Sequence, residues 1–123
     1  MAERVPEADA VFRDILAGYA GSSAIEAKRM FGSDALCVDG KIACFVNKSG
    51  RLVAKLPAET SERLERVGLA EPMALGGRRP MRGWFSMALR EEVDWFALAD
   101  EAVRHVHALE ADKADGTDRV GEA

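Results

Sequence analysis

One stretch, Met30 to Leu56, constrains this chain more than any other: MFGSDALCVDGKIACFVNKSGRLVAKL. It reads as consecutive β-strands joined by two turns. Asp39-Gly40 lies between apolar runs, and both residues accept positive φ, as a two-residue hairpin loop demands. Such a loop pairs Val38 with Lys41, Cys37 with Ile42 and Leu36 with Ala43. The second turn, Lys48-Ser49-Gly50 after Asn47, fits a three-residue loop closing on a left-handed glycine in a bulge. Side chains discriminate between loop lengths, because a slip of one residue exchanges the faces of a strand. Three loop residues put Ile42, Cys44, Val46, Leu52, Ala54 and Leu56 on one face, with Lys41, Asn47, Arg51 and Lys55 on the other. A four-residue loop mixes the two sets.

The same register gathers Leu36, Val38, Ala43, Phe45 and Val53 opposite that inner face, ringed by the polar residues. A contiguous apolar patch with a polar rim is what an interface looks like. The expectation is a two-fold homodimer through this outer face, with Leu36, Val38, Phe45 and Val53 as its candidate residues.

The chain of 123 residues, 48% of them hydrophobic, suffices for one domain with one ordinary core. Residues 1–110 read as that domain. Residues 111–123, polar, charged and interrupted by glycine, read as a disordered tail. The net charge of −4 disfavours blanket attraction to nucleic acid or anionic lipid. No apolar run approaches a membrane span, and Met1–Pro6 has no signal-peptide pattern. A soluble, cytoplasmic protein with no membrane partner is expected. Cys37 and Cys44 fall on adjacent strands, on one face but diagonally, with Ile42 and Ala35 opposite them. That separation does not suit a disulfide, so two buried thiols are expected.

Pro6 to Tyr19 reads as a helix, with Pro6 in its first turn and Ala8, Val11, Phe12, Ile15, Leu16 and Tyr19 as the apolar stripe. Ile25 to Phe31 reads as a first strand, broken from the hairpin by Gly32-Ser33-Asp34. After Pro57, Ala58 to Val67 is a short helix anchored by Leu64 and Val67 and stopped by Gly68. Pro72–Leu75 and Gly83–Leu89 are short strands flanking Gly76-Gly77. Glu92 to Glu110 is the last helix, with Trp95, Phe96, Ala99, Ala102, Val103, Val106 and Leu109 on its apolar face. The order is helix, three strands, helix, two strands, helix. An α+β fold follows, an antiparallel sheet with helices mainly on one face.

Three separated motifs resemble the N-terminal domain of the TfoX/Sxy family: Lys28-Arg29-Met30-Phe31-Gly32, Val38-Asp39-Gly40-Lys41, and Gly77-Arg78-Arg79-Pro80-Met81-Arg82-Gly83-Trp84. The family commonly shows K-x-M-F-G-G, V-[DN]-G and G-R-P-M-x-G. Here Ser33 replaces the second glycine of the first motif, and the third carries an extra arginine. The resemblance covers about Ala8 to Leu109. It implies an α-β-β-β-α-β-β-α fold like that of secretion chaperones. Full-length relatives regulate natural competence and act in transcription with a second, C-terminal domain that is not present in this sequence. The resemblance thus implies the fold and a protein-binding role, without the regulator's activity. YjbR-like proteins, similar in size and fold and often described as DNA-binding, imply the rival reading.

Arg78, Arg79 and Arg82, followed by Trp84, are the dense basic cluster. Arginines grip phosphate in bidentate fashion and an indole stacks on a base. The plainer account is a hairpin turn whose arginines face water while Trp84 fills the core. His105 and His107, two apart on a helix, point to different faces and cannot share a metal. The serines lack a nucleophile-elbow context, there is no phosphate-binding G-x-x-x-x-G-K-[ST] loop, and both cysteines sit mid-strand. No enzyme, metal or cofactor is expected. The reading is a non-enzymatic, regulatory, protein-binding domain with an unidentified protein partner. The alternative is a nucleic-acid-binding module using Arg78, Arg79 and Arg82.

Overall fold

The computed structural model describes residues 5–30, 33–73 and 82–120, apart from the side chains at 30, 33 and 113–120. The elements follow as α1 (Pro6–Ala17), β1 (Ile25–Met30), β2 (Ser33–Val38), β3 (Lys41–Val46), β4 (Leu52–Lys55), α2 (Ala58–Arg66), β5 (Glu71–Pro72), β6 (Trp84–Met87) and α3 (Trp95–Val120). The α+β class and the alternation of helices with strand groups are those expected. The first group holds four strands, since β1 joins the three-stranded meander. All pairings are antiparallel, in the order β1-β2-β3-β4-β6-β5.

Both turns form as the residues dictate. Asp39 and Gly40 have φ of 51° and 83°, the mirror-image turn that matches strand twist. In the second turn the Asn47 N–H donates to the Arg51 carbonyl at 3.0 Å, and the Asn47 carboxamide accepts from the Arg51 N–H at 3.0 Å. Gly50 closes that loop at φ 79°, leaving Val46 opposite Leu52.

The face assignment differs from expectation at one point. Cys37 pairs with Ile42, but Leu36 pairs with Cys44 rather than Ala43, so Ala43 is the extra residue of a β-bulge. Beyond the bulge the faces exchange. Leu36, Val38, Ala43, Cys44, Val46, Leu52, Ala54, Leu56 and Met87 share one cluster with Ala8, Phe12 and Ile15 of α1, Leu64 of α2 and the buried side of α3. The opposite face gathers Ala35, Cys37, Phe45, Val53 and Trp84, with Ile42 and Met73 beside them. The proposed outer patch therefore does not exist as drawn. Leu36 and Val38 lie under the helices, and Phe45 and Val53, though on the far face, are 4% and 0% exposed. Cys37 and Cys44 lie on opposite faces rather than one, because the bulge stands between them.

The helices show smaller departures. Asp94 caps α3, its carboxylate accepting from the Ala97 N–H at 3.2 Å, so the helix begins at Trp95 and not Glu92. This phase buries Leu98 and leaves Phe96 53% exposed. Val67, just past the end of α2, is 64% exposed and anchors nothing. The backbone of α3 is helical through residues 111–120, where a disordered tail was expected; the run from Ala111 to Ala114 contains no helix breaker. Residues 121–123, Phe31-Gly32 and the 74–81 segment, with Leu75, Gly76-Gly77 and Pro80, lie outside the described residues. Among the described residues no helix is long and apolar enough to cross a membrane.

Gly50 gives the fold's most local test. A Cβ there would stand 2.7 Å from both Cβ and Cγ2 of Val5, ahead of α1, whereas one at Gly40 would meet nothing within 4 Å. Gly40→Ala should cost the left-handed penalty alone, about 1–2 kcal/mol. Gly50→Ala should cost about 1–3 kcal/mol more from overpacking. Urea unfolding of the two variants measures the difference, and equal costs would contradict the docking of Val5 on this loop.

Candidate functional site

The basic residues Arg78, Arg79 and Arg82 are the candidate contact that the sequence singles out. Arg78 and Arg79 lie outside the described residues, and Arg82 is exposed. Gly83, at φ 85°, turns the chain into β6, and its carbonyl accepts from the Leu56 N–H at 2.9 Å. Trp84 follows, opposite Lys55, and its carbonyl accepts from the Met73 N–H at 2.9 Å. The indole is 9% exposed and tilts 51° against Phe45 with ring centroids 6.5 Å apart. It belongs to the second core and does not serve as a stacking platform for a base. Trp84 thus fills the core, as the plainer reading has it, and the stacking role assigned to it in the alternative nucleic-acid contact is corrected.

A different arginine is built into that face. Arg51 Nε donates to Ser86 Oγ at 3.0 Å and Nη2 to the Ser86 carbonyl at 3.2 Å, with Glu71 Oε2 at 3.9 Å. The guanidinium thus ties the start of β4 to β6 and reaches β5. Its Nε and Nη2 donors are turned to the sheet.

The helical layer carries two polar seams. Between α1 and α3, the Tyr19 hydroxyl donates to Asp100 Oδ1 at 2.9 Å, and Arg104 Nε donates to Asp100 Oδ2 at 2.9 Å. Arg104 holds the Asp100 carboxyl below the usual carboxylate range, with Tyr19 adding to the effect. Burial first, and then Asp100, push the Tyr19 phenol well above its ordinary value. Beside this network lies a cleft of about 330 Å³ that includes Ile15 and the exposed Phe96. Between α2 and α3, Thr60 Oγ1 donates to Glu101 Oε1 at 2.5 Å. Next to that bond a groove of about 360 Å³ is floored by Leu64, Leu69, Val93 and Leu98, with Val67 at its lip and Arg63, Glu92 and Glu101 around it. The i,i+4 spacing of Asp100 and Arg104 was visible in the sequence, but the groove needs the α2–α3 packing that no local pattern encodes.

The histidines diverge, as their spacing implies. His107 Nδ1 stands 3.0 Å from Asp39 Oδ2, joining α3 to the β2–β3 turn. His105 is half-buried, and desolvation with the nearby Lys55 charge pulls its pKa down. Among the described residues no group of three or more His, Cys, Asp or Glu comes together as a metal site.

Both thiols are free and buried. Burial pushes the pKa of Cys37 and, more strongly, of Cys44 upward, away from the reactive thiolate. Thiol titration at neutral pH should label neither cysteine in the native state and both in denaturant. Rapid native labelling of either would contradict the two-faced burial of the sheet.

Comparison with known proteins bears on the whole unit. Neither a curated protein nor a solved structure matches the chain. The family model described as TfoX N-terminal domain matches residues 15–111, a span that runs from the last turn of α1 through every strand and well into α3. The chain belongs to the TfoX N-terminal domain family.

Proposed function

We propose that this domain acts by binding another protein, in a regulatory and non-enzymatic role. Membership of the family suggests a competence-regulator-like domain. The observation that carries the reading is the α2–α3 groove. Its apolar floor, Leu64, Leu69, Val93 and Leu98, opens to solvent beside Val67, a large apolar residue left 64% exposed. Mixed charges of Arg63, Glu92 and Glu101 surround it, the pattern of an apolar centre within a polar rim. The nucleic-acid alternative keeps Arg78, Arg79 and Arg82 but lacks the stacking role of Trp84.

Val67 makes no contribution to the core that its loss would reveal, so Val67→Glu should shift stability by no more than about 0.5 kcal/mol. A pull-down from cell lysate with the wild-type domain should return a protein that survives nuclease treatment and is lost with Val67→Glu. Recovery of nucleic acid alone, or of the same protein with Val67→Glu, would contradict the reading. In a parallel salt titration, duplex and single-stranded DNA should bind no tighter than micromolar at physiological salt. Tight binding that falls steeply with salt and vanishes in the Arg78→Ala, Arg79→Ala, Arg82→Ala variant would favour the alternative.

A further inference from the structure

The sheet has two margins, and the chain treats them differently. At one, β5 is only Glu71–Pro72, and a proline there offers no donor. At the other, β1 runs Ile25–Met30 without a proline, and among the described residues no strand pairs with its outer side. Glu26, Ala27, Lys28 and Arg29 are all exposed. An edge of this length is a template for another strand unless its side chains forbid it.

The ladder to β2 fixes which backbone groups face outward. Residues pair so that Ile25 meets Val38 and Ala27 meets Leu36, and the Asp39 N–H donates to the Ala24 carbonyl at 2.9 Å. In an antiparallel pair, hydrogen-bonded and non-bonded positions alternate. Ala24, Glu26 and Lys28 therefore direct their amides and carbonyls at β2, while Ile25, Ala27 and Arg29 direct theirs away from the sheet. Side chains alternate too. Ile25, Ala27 and Arg29 share the helix-side face with Leu36 and Val38, and Glu26 and Lys28 take the other, with their carboxylate and ammonium 3.7 Å apart.

We propose that β1 is the contact through which a second copy of this chain adds to the sheet, antiparallel, about a two-fold axis at Ala27. That axis places Ala27 opposite Ala27 of the second copy, Ile25 opposite its Arg29, and Glu26 opposite its Lys28. Every outward amide and carbonyl of Ile25, Ala27 and Arg29 then meets its complement. Opposite charges face each other twice, at non-bonded positions where side chains approach most closely. Centring the axis on Glu26 or on Lys28 would set like charges against each other. Centring it on Ile25 or Arg29 would shorten the overlap. On the helix side, a cleft of about 210 Å³ between the end of α1 and β1, lined by Leu16, Tyr19, Ile25 and Ala27, can receive the aliphatic stem of Arg29 from the second copy. The backbone ladder supplies the attraction, and the charges select the register. The contact is independent of the α2–α3 groove.

Charge exchange tests the register. Sedimentation of the full chain in the tens to hundreds of micromolar should show a dimer. Lys28→Glu alone and Glu26→Lys alone should each sediment as monomers with unchanged circular dichroism. The double variant Glu26→Lys, Lys28→Glu should dimerise again, and an equimolar mixture of the two single variants should form a heterodimer. Ala27→Pro, which removes an outward donor without touching the β1–β2 ladder, should also give a monomer. A wild-type chain that stays monomeric across that range overturns the proposal. So do single charge variants that remain dimeric, or a double variant that remains monomeric.

Discussion

The bulge at Ala43 is the constraint on which the rest of the molecule depends. Without it, β2 and β3 would keep strict alternation, and the Leu36–Val38 pair would face away from the helices. With it, Ala43 and Cys44 both belong to the helix-side core, and the strands on either side of the irregularity exchange faces. Two cores result from one sheet. Leu36, Val38, Val46, Leu52 and Leu56 pack under α1 and α3, while Phe45, Val53, Cys37 and Trp84 close the other face. A bulge also increases local twist, which suits a sheet that must wrap against a long helix.

Closing both faces moves the accessible chemistry elsewhere. The broad sheet surface cannot serve as a docking patch when its large side chains are almost wholly buried. Among the described residues, Val67 and Phe96 are exposed beside grooves of the helical layer, and at the β1 margin charged side chains surround outward backbone groups. Polar ties hold these elements in place. Tyr19 and Arg104 meet at Asp100 across the α1–α3 seam, Thr60 and Glu101 join α2 to α3, and His107 reaches Asp39 at the hairpin tip. Each links an element of the helical layer to a neighbour, so grooves between helices keep their shape.

Much of this architecture was legible because certain residues have few conformational options. Asp39-Gly40 and Asn47 with Gly50 specified two turns and their loop lengths, and the pattern of Leu52, Ala54 and Leu56 against Arg51 and Lys55 specified β4. The bulge was not legible, for a physical reason. The runs Ala35–Val38 and Ile42–Val46 are apolar at every position, so a slip between them moves one apolar side chain for another and leaves no mark in the polarity pattern. Trp84 was legible as a core residue but its face was not, since Trp84-Phe85 offers two aromatic rings and no sign of which meets the second core. The start of α3 had a signal in Asp94, a capping residue one position before the helix. Leu98, three residues after Trp95 and four before Ala102, shares their side of the helix, whereas Phe96 stands at the margin of that stripe and is exposed. The α2–α3 groove had no signal at all, because it arises where two elements distant in sequence meet.

Both faces of the sheet are buried, and Phe45 reports on this most directly. It lies on the face away from the helices, 4% exposed and in ring contact with Trp84. Burying an unpaired carboxylate there would cost several kcal/mol, comparable with the whole stability of a small domain. Circular dichroism with urea unfolding of Phe45→Glu is the measurement. Loss of the cooperative transition is the expected result. A variant that unfolds cooperatively with wild-type stability would show that this face is open to water, and the two-core account would fail.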